Sequence, residues 1–585
     1  MGKSARICLL LSILLLTPQV IVAAKEAYEV DVRTDVKIPM RDGIELAANI
    51  FLPKADGKFP VILVRSPYGK GNEKYDDGLF YAGRGYVLVI QDCRGKGSSQ
   101  GVWEPFGNDG NDGRDTQKWI LNQPWCNGSI CTSGGSYVGF TQWISAPNAG
   151  EHLKAMFPLV PLVDTYGDGV YIDGALNLAL MIGWGSLVSP GMSKQPAMLT
   201  WGPKDWDKAF RTLPLAEWDR AIGWKVQYLR DWVAHPHYDD YWATRSVRGQ
   251  WQDITVPICA VGGWYDIFAK SVIDHINAVR SMSRSEQARK HQHLIMGPWA
   301  HGISQDGKVG DLNFGKQSSI ELRDMQTKWF DYWMKGEQTG ADQWPAFRIF
   351  VMGRNQWRDE QEWPLKRTEF TPYYFHSQGS ANTAKGNGML STAKPSDEPC
   401  DEFVYDPNDP VPTLGGCNLV GCPMGPRDQS EAEKRNDVLI FTSEALKSEL
   451  EVTGPVKVVL YAATTAKDTD WTAKLVDVHP DGRPYNLCDG ILRARYRTSK
   501  DNPNLIQPGE IYLYEIDLWV TSNAFLPGHK IRVEISSSNF PRFDRNLNTG
   551  EPFGKGTKWI KAMQTIYHDK EHPSHILLPV IPRSE

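Results

Sequence analysis

The chain has 585 residues, enough for three to four folded units at about 150 residues each, so a single small binding module is excluded. Hydrophobic residues make up 41% and charged residues 23%, a balance that excludes disordered, collagen-like and membrane-embedded classes. Lys and Arg total 64 against 69 Asp and Glu, so no cationic field draws phosphate backbones or anionic lipid and no nucleic-acid partner is expected.

Lys3 and Arg6 precede the apolar run 7–16, and Val22-Ala23-Ala24 is the small-residue pattern a signal peptidase reads. Residues 1–24 therefore read as a cleaved signal peptide, and the mature protein is expected to be secreted or periplasmic. Pro18 and Gln19 interrupt the run before it could span a bilayer, and no other run is long enough. Cleavage removes Cys8 and leaves eight of the nine cysteines, too few for a disulfide scaffold. Cys126 with Cys131, and Cys400 with Cys417 and Cys422, lack the second pair or histidine cluster of a zinc site, so no metal is expected.

Continuous apolar runs at 61–64 and 87–90 predict buried parallel strands, and 115–121 predicts a helix with an acidic first turn. Runs at 156–159, 258–261 and 293–296 predict further strands of the same sheet. Strands alternating with helices imply a doubly wound α/β unit, in two parts, 25–164 and 246–345. Between them, 165–245 has few β-runs and contains Trp184, Trp201, Trp206, Trp218, Trp224, Trp232 and Trp242, the pattern of a helical cap rich in aromatic surface. Leu322, Met325, Trp329 and Trp333 recur at helical spacing up to Gly336 and predict a closing amphipathic helix. From 346 to 585 alternation at 456–460, 471–475 and 531–535 predicts antiparallel strands of a β-sandwich or jelly roll. The stretch 377–436 is its longest irregular connection.

Three loops carry the chemistry. A strand runs into Gly134-Gly135-Ser136-Tyr137-Val138-Gly139, the setting of a nucleophile elbow, although the second glycine falls at +3 rather than the commoner +2. After the strand at 258–261 comes Gly263-Trp264-Tyr265-Asp266, and after that at 293–296 comes Gly297-Pro298-Trp299-Ala300-His301. Ser, Asp, His is the chain order of α/β-hydrolases, with each residue just past a strand end. Ser136 needs a base, which His301 supplies, while Asp266 fixes the imidazole tautomer and stabilises the imidazolium. His235 and His237 read as surface histidines, not a metal pair. A hydrolase fold kept as a binding protein is the non-enzyme alternative, and a complete triad in its expected settings argues against it.

These motifs, with Arg65-Ser66-Pro67-Tyr68-Gly69-Lys70, Gln91-Asp92-Cys93-Arg94-Gly95, Tyr405-Asp406-Pro407 and the segment from Leu475-Val476-Asp477 to Asp481-Gly482, resemble the CocE/NonD group of serine hydrolases. That group comprises cocaine esterase, X-prolyl dipeptidyl-peptidase and α-amino acid ester hydrolase relatives, including some β-lactam acylases. The resemblance covers nearly the whole mature chain. It implies an α/β-hydrolase core with a helical cap insertion and a C-terminal jelly roll. It implies ester or amide hydrolysis through an acyl-enzyme without cofactor, on a small ester, amide or short peptide substrate, with homo-oligomerisation left open. It further implies that Tyr68 donates its hydroxyl to the oxyanion and that the Tyr137 N–H is the second donor. Phe268 matches an aromatic of the acyl pocket, with Trp184 expected beside it, and Asp92 and Arg94 are expected to pair with each other. Apolar Val138 disfavours an ammonium pocket, and there is no room for the extra N-terminal domain of the longer dipeptidyl-peptidases.

Overall fold

A computed structural model describes residues 28–191 and 203–583; the expected signal peptide and Trp201 lie outside the described residues. Ten strands form the first sheet, in the order Val30–Pro39, Glu45–Pro53, Val87–Asp92, Phe59–Ser66, Cys126–Gly135, Leu153–Leu159, Ile258–Gly263, Gln292–Gly297, Phe347–Val351 and Gln356–Glu360. From Val87–Asp92 to Phe347–Val351 neighbouring strands are parallel. The apolar runs that build these strands are buried from end to end, because helices cover both faces. The architecture is an α/β-hydrolase unit followed by a β-rich C-terminal unit of eleven strands.

Two local expectations are corrected. The helix predicted at 115–121 begins at Asp109, with Asp109 and Asp112 in its first turn. Residues 347–360, expected beyond the first sheet, are its last two strands, Phe347–Val351 pairing in parallel with Gln292–Gly297. The strand expected at 471–475 is present as Asp470–Val478, paired antiparallel on both sides and buried throughout.

The segment after Leu153–Leu159 contains the helices Leu178–Leu187, Pro203–Phe210 and Gln227–Ala234 with shorter turns between them. Trp218, Trp232 and Trp242 are fully buried there. The helix predicted from Leu322 runs over Leu322–Phe330 and continues as a wider turn to Lys335, ending where Gly336 takes a left-handed conformation.

Candidate active site

Ser136 joins the strand Cys126–Gly135 to the helix Tyr137–Ser145 with φ 60° and ψ −122°, a corner that side-chain-bearing residues rarely adopt. The local sequence pays for this geometry with glycine. Gly134 has φ 131°, and a Cβ there would come within 2.2 Å of Val138 Cγ1. The displaced glycine of the motif has a cause as well: a Cβ on Gly139 would meet Pro161 at 2.9 Å. Ser136 thereby stands at the N-terminus of the helix Tyr137–Ser145, where the first N–H groups have no intrahelical acceptor.

Asp266 and His301 meet past the ends of neighbouring parallel strands. His301 Nδ1 lies 2.5 Å from Asp266 Oδ2, and Asp266 Oδ1 accepts the Phe268 N–H at 2.8 Å. Both carboxylate oxygens are thus occupied, which fixes the imidazole ring. The buried His301 Nε2 has no hydrogen-bond partner among the described residues, leaving that nitrogen available for a proton. Gly302 N–H donates to the Ala300 carbonyl at 2.8 Å, so His301 projects from the centre of a tight turn.

Tyr68, Phe106, Ser136, Tyr137, Leu162, Leu180, Met181, Trp184, Ile267, Phe268 and Leu419 line one cleft. Phe268 packs edge-on against His301 at 5.6 Å between ring centroids, tying the cleft to the Asp266–His301 pair. The Trp184 indole N–H donates to the Tyr68 hydroxyl at 3.1 Å, and Ser136 lines the same cleft. Partial desolvation raises the Tyr68 pKa, with the Trp184 hydrogen bond opposing, so the hydroxyl remains a neutral donor although 54% of the residue is exposed. Ser136, Tyr68, Tyr137, Phe268 and Trp184 share the cleft wall, and the Asp266–His301 pair adjoins it through Phe268, with no hydrogen bond between His301 Nε2 and Ser136 among the described residues.

Other expectations fare differently. Of the described cap tryptophans only Trp184 lines the cleft; Trp218, Trp232 and Trp242 pack the interior. Arg94 does not pair with Asp92. The chain turns at Cys93, whose N–H bonds back to Ser66, and the guanidinium is carried to Asp112 at 2.6 Å and Asp42 at 2.7 Å. Asp92 binds Lys70 instead, at 2.9 Å. His235 bonds Asp239 at 2.6 Å and His237 bonds the Tyr496 hydroxyl at 2.8 Å, so each imidazole has its own protein partner. Asp477, His479 and His529 form a group of metal-ligand type among the described residues. Its shortest contact is a hydrogen bond of 2.7 Å between His529 Nδ1 and Asp477 Oδ1, which satisfies the buried carboxylate with a proton. Phe106, Ile267 and Leu419 were not nominated; Leu419 comes from the irregular connection of the C-terminal unit, far along the chain from the three loops.

Residues 42–303 match the family model of X-Pro dipeptidyl-peptidase (S15 family), and residues 339–577 match the X-Pro dipeptidyl-peptidase C-terminal non-catalytic domain. The chain is 40% identical to the cocaine esterase of Rhodococcus sp., over 94% of its own length and 99% of that protein's. It belongs to the CocE/NonD family of serine hydrolases. Among solved structures similar to this CocE/NonD chain, an aminopeptidase from the marine sediment archaeon Thaumarchaeota archaeon has a TM-score of 0.82 at 25% identity, covering 97% of this chain and 98% of that one. An α-amino acid ester hydrolase has a TM-score of 0.78 at 26% identity, covering 97% and 99%. CocE/NonD hydrolases act on small ester or peptide substrates, and no helix among the described residues is long and apolar enough to cross a membrane.

Proposed function

We propose that this chain is an exported serine esterase that turns over aromatic and short-chain acyl esters through an acyl-enzyme on Ser136. His301 Nε2 takes the Ser136 proton as the hydroxyl attacks the acyl carbon and returns it to the leaving alcohol. Asp266 holds the imidazole in the tautomer that leaves Nε2 unprotonated and then stabilises the imidazolium. The Tyr68 hydroxyl and the Tyr137 N–H bind the oxyanion, where two preorganised donors are worth several orders of magnitude in rate. The second half repeats the cycle with water as nucleophile, so no metal or organic cofactor is required.

The observation that carries this reading is the strained Ser136 in an apolar cleft whose wall also holds Tyr68 and, through Phe268, the Asp266–His301 pair. The competing activity within the family is cleavage of X-Pro dipeptides, which requires a carboxylate for the substrate ammonium in a largely desolvated pocket. None of the cap acids Asp168, Asp173, Asp205, Asp207, Glu217, Asp219, Asp231, Asp239 and Asp240 is among the cleft-lining residues. Asp168 is committed to His275 at 2.9 Å and Ser271 at 2.7 Å, and Asp219 to Arg230 at 2.7 Å.

A serine-directed fluorophosphonate, followed by peptide mapping, tests the nucleophile: one label is expected, on Ser136, lost together with turnover in Ser136→Ala. Labelling that survives that substitution removes Ser136 from the mechanism, and an unlabelled, well-folded wild type favours the binding-protein alternative.

A further inference from the structure

One buried carboxylate outside the triad, Asp109, bonds the side chain of one proposed oxyanion donor, Tyr137, and Arg65 on the strand that leads to the other, Tyr68. The Tyr137 hydroxyl donates to Asp109 Oδ2 at 2.6 Å and accepts the Phe106 N–H at 2.7 Å. Asp109 in turn holds Arg65, whose Nη1 donates to the Asp109 carbonyl at 2.7 Å and whose Nη2 lies 3.4 Å from Oδ1. Arg65 belongs to the strand Phe59–Ser66, which leads directly into Tyr68. Arg65, Phe106, Asp109 and Tyr137 are all buried, with at most 4% of any of them exposed.

Phe106 marks the strain in this arrangement. Its φ of 69° is a left-handed conformation that costs an aromatic residue roughly 1 kcal/mol or more, and such outliers persist only where their surroundings hold them. Its N–H is held by Tyr137, and its ring stacks on the Tyr137 ring at 5.0 Å and on Trp184 at 5.9 Å. The backbone unit that offers the Tyr137 N–H, the wall ring Phe106 and the strand end that presents Tyr68 therefore share one anchor. Tolerance at an oxyanion site is about 0.5 Å, so an anchor of this kind acts on rate rather than on substrate binding.

We propose that Asp109 is a positioning residue for the oxyanion site, acting through the side-chain hydroxyl of Tyr137 on one side and through Arg65 on the other. The assignment rests on the esterase reading and is tested so that the two can fail separately. Tyr137→Phe keeps the ring and the backbone N–H and removes only the hydroxyl; Asp109→Asn keeps the shape and removes the charge. Active sites are counted by fluorophosphonate titration, and turnover of 4-nitrophenyl acetate is expressed per titrated site. Each single variant is expected to lose about tenfold or more in kcat with KM within about threefold. The double variant is expected to lose much less than the product of the two, because the residues act as one unit. Affinity for an arylboronic acid, which needs the oxyanion site, is expected to fall in step with kcat, while inhibition by benzoate stays within twofold. Turnover per titrated site within twofold of wild type in Tyr137→Phe would overturn the assignment, as would multiplicative losses in the double variant. A wild type that the fluorophosphonate does not label would overturn the esterase reading and the assignment with it.

Discussion

The cleft at Ser136 and the seam between the cap and the C-terminal unit are built in opposite ways. The cleft is walled by aromatic and aliphatic side chains, and its strain and its unpartnered nitrogen sit at Ser136, Phe106 and His301. The seam is dense with buried charge. Arg493 binds Asp470 at 2.8 Å and Asp544 at 2.9 Å, and Asp544 also accepts the Leu176 N–H of the cap at 2.7 Å. Arg542 pairs with Asp489, which additionally accepts from Asn539 at 2.9 Å. Strained groups persist only where their surroundings hold them, and the seam ties the cap at Leu176 to the C-terminal unit. Reactivity and rigidity are thereby assigned to different residues, which makes them separable by mutation.

The largest effect is expected at the cleft. Tyr68→Phe should lower kcat by roughly 10²–10³ with little change in KM, since the lost hydrogen bond forms mainly in the transition state. Steady-state kinetics on an aryl ester check this, and an unchanged kcat would reduce Tyr68 to a packing residue. At the seam the expected damage is to stability. Arg493→Met leaves Asp470 and Asp544 uncompensated and should cost about 3–5 kcal/mol in unfolding free energy, measured by denaturant titration. Turnover per titrated site should stay within twofold; a large loss there would show that the two regions are not separable.

A smaller effect is expected with pH. Burial lowers the pKa of His293, on the strand Gln292–Gly297, from 6.5 to about 4. The folded protein therefore holds this histidine neutral while the unfolded chain protonates it. Its contribution is fully present above pH 6.5 and is lost as pH falls towards 4, amounting to about 3 kcal/mol at roughly 1.4 kcal/mol per pKa unit. His293→Leu should flatten that part of the stability profile between pH 6.5 and 4, read from thermal unfolding across the range; an unaltered slope would assign acid sensitivity elsewhere.

Legibility in the sequence followed the same division. The parallel strands were readable because burial on both faces demands unbroken apolar runs, and Ser136, Asp266 and His301 because each follows such a run with glycines at the turn. The start of the helix Asp109–Leu121 was not, since Asp109-Gly110-Asn111-Asp112-Gly113 has the composition of a turn. Packing overrides propensity there: a Cβ on Gly113 would meet Ser145 Cβ at 2.6 Å, so the glycine lets two helices approach. The partners of Arg94, Asp112 and Asp42, approach it only in three dimensions, so its sequence neighbourhood points to Asp92 instead. Phe106 and Leu419 carried no local signal, their place in the wall being set by a backbone strain and by a loop from the other unit. The tryptophan-rich cap predicted aromatic surface correctly for Trp184, while the rest of the aromatic wall comes from Tyr68, Phe106, Tyr137 and Phe268.

The central claim is that an apolar cleft with no carboxylate among its described lining residues selects uncharged acyl groups. The most direct measurement is kcat/KM for 4-nitrophenyl benzoate and 4-nitrophenyl acetate beside that for Gly-Pro 4-nitroanilide, under one set of conditions. Both esters are predicted to be the better substrates. A dipeptidyl anilide preferred by about tenfold or more, roughly 1.4 kcal/mol in transition-state binding, would contradict the esterase reading and put an ammonium-binding peptidase in its place.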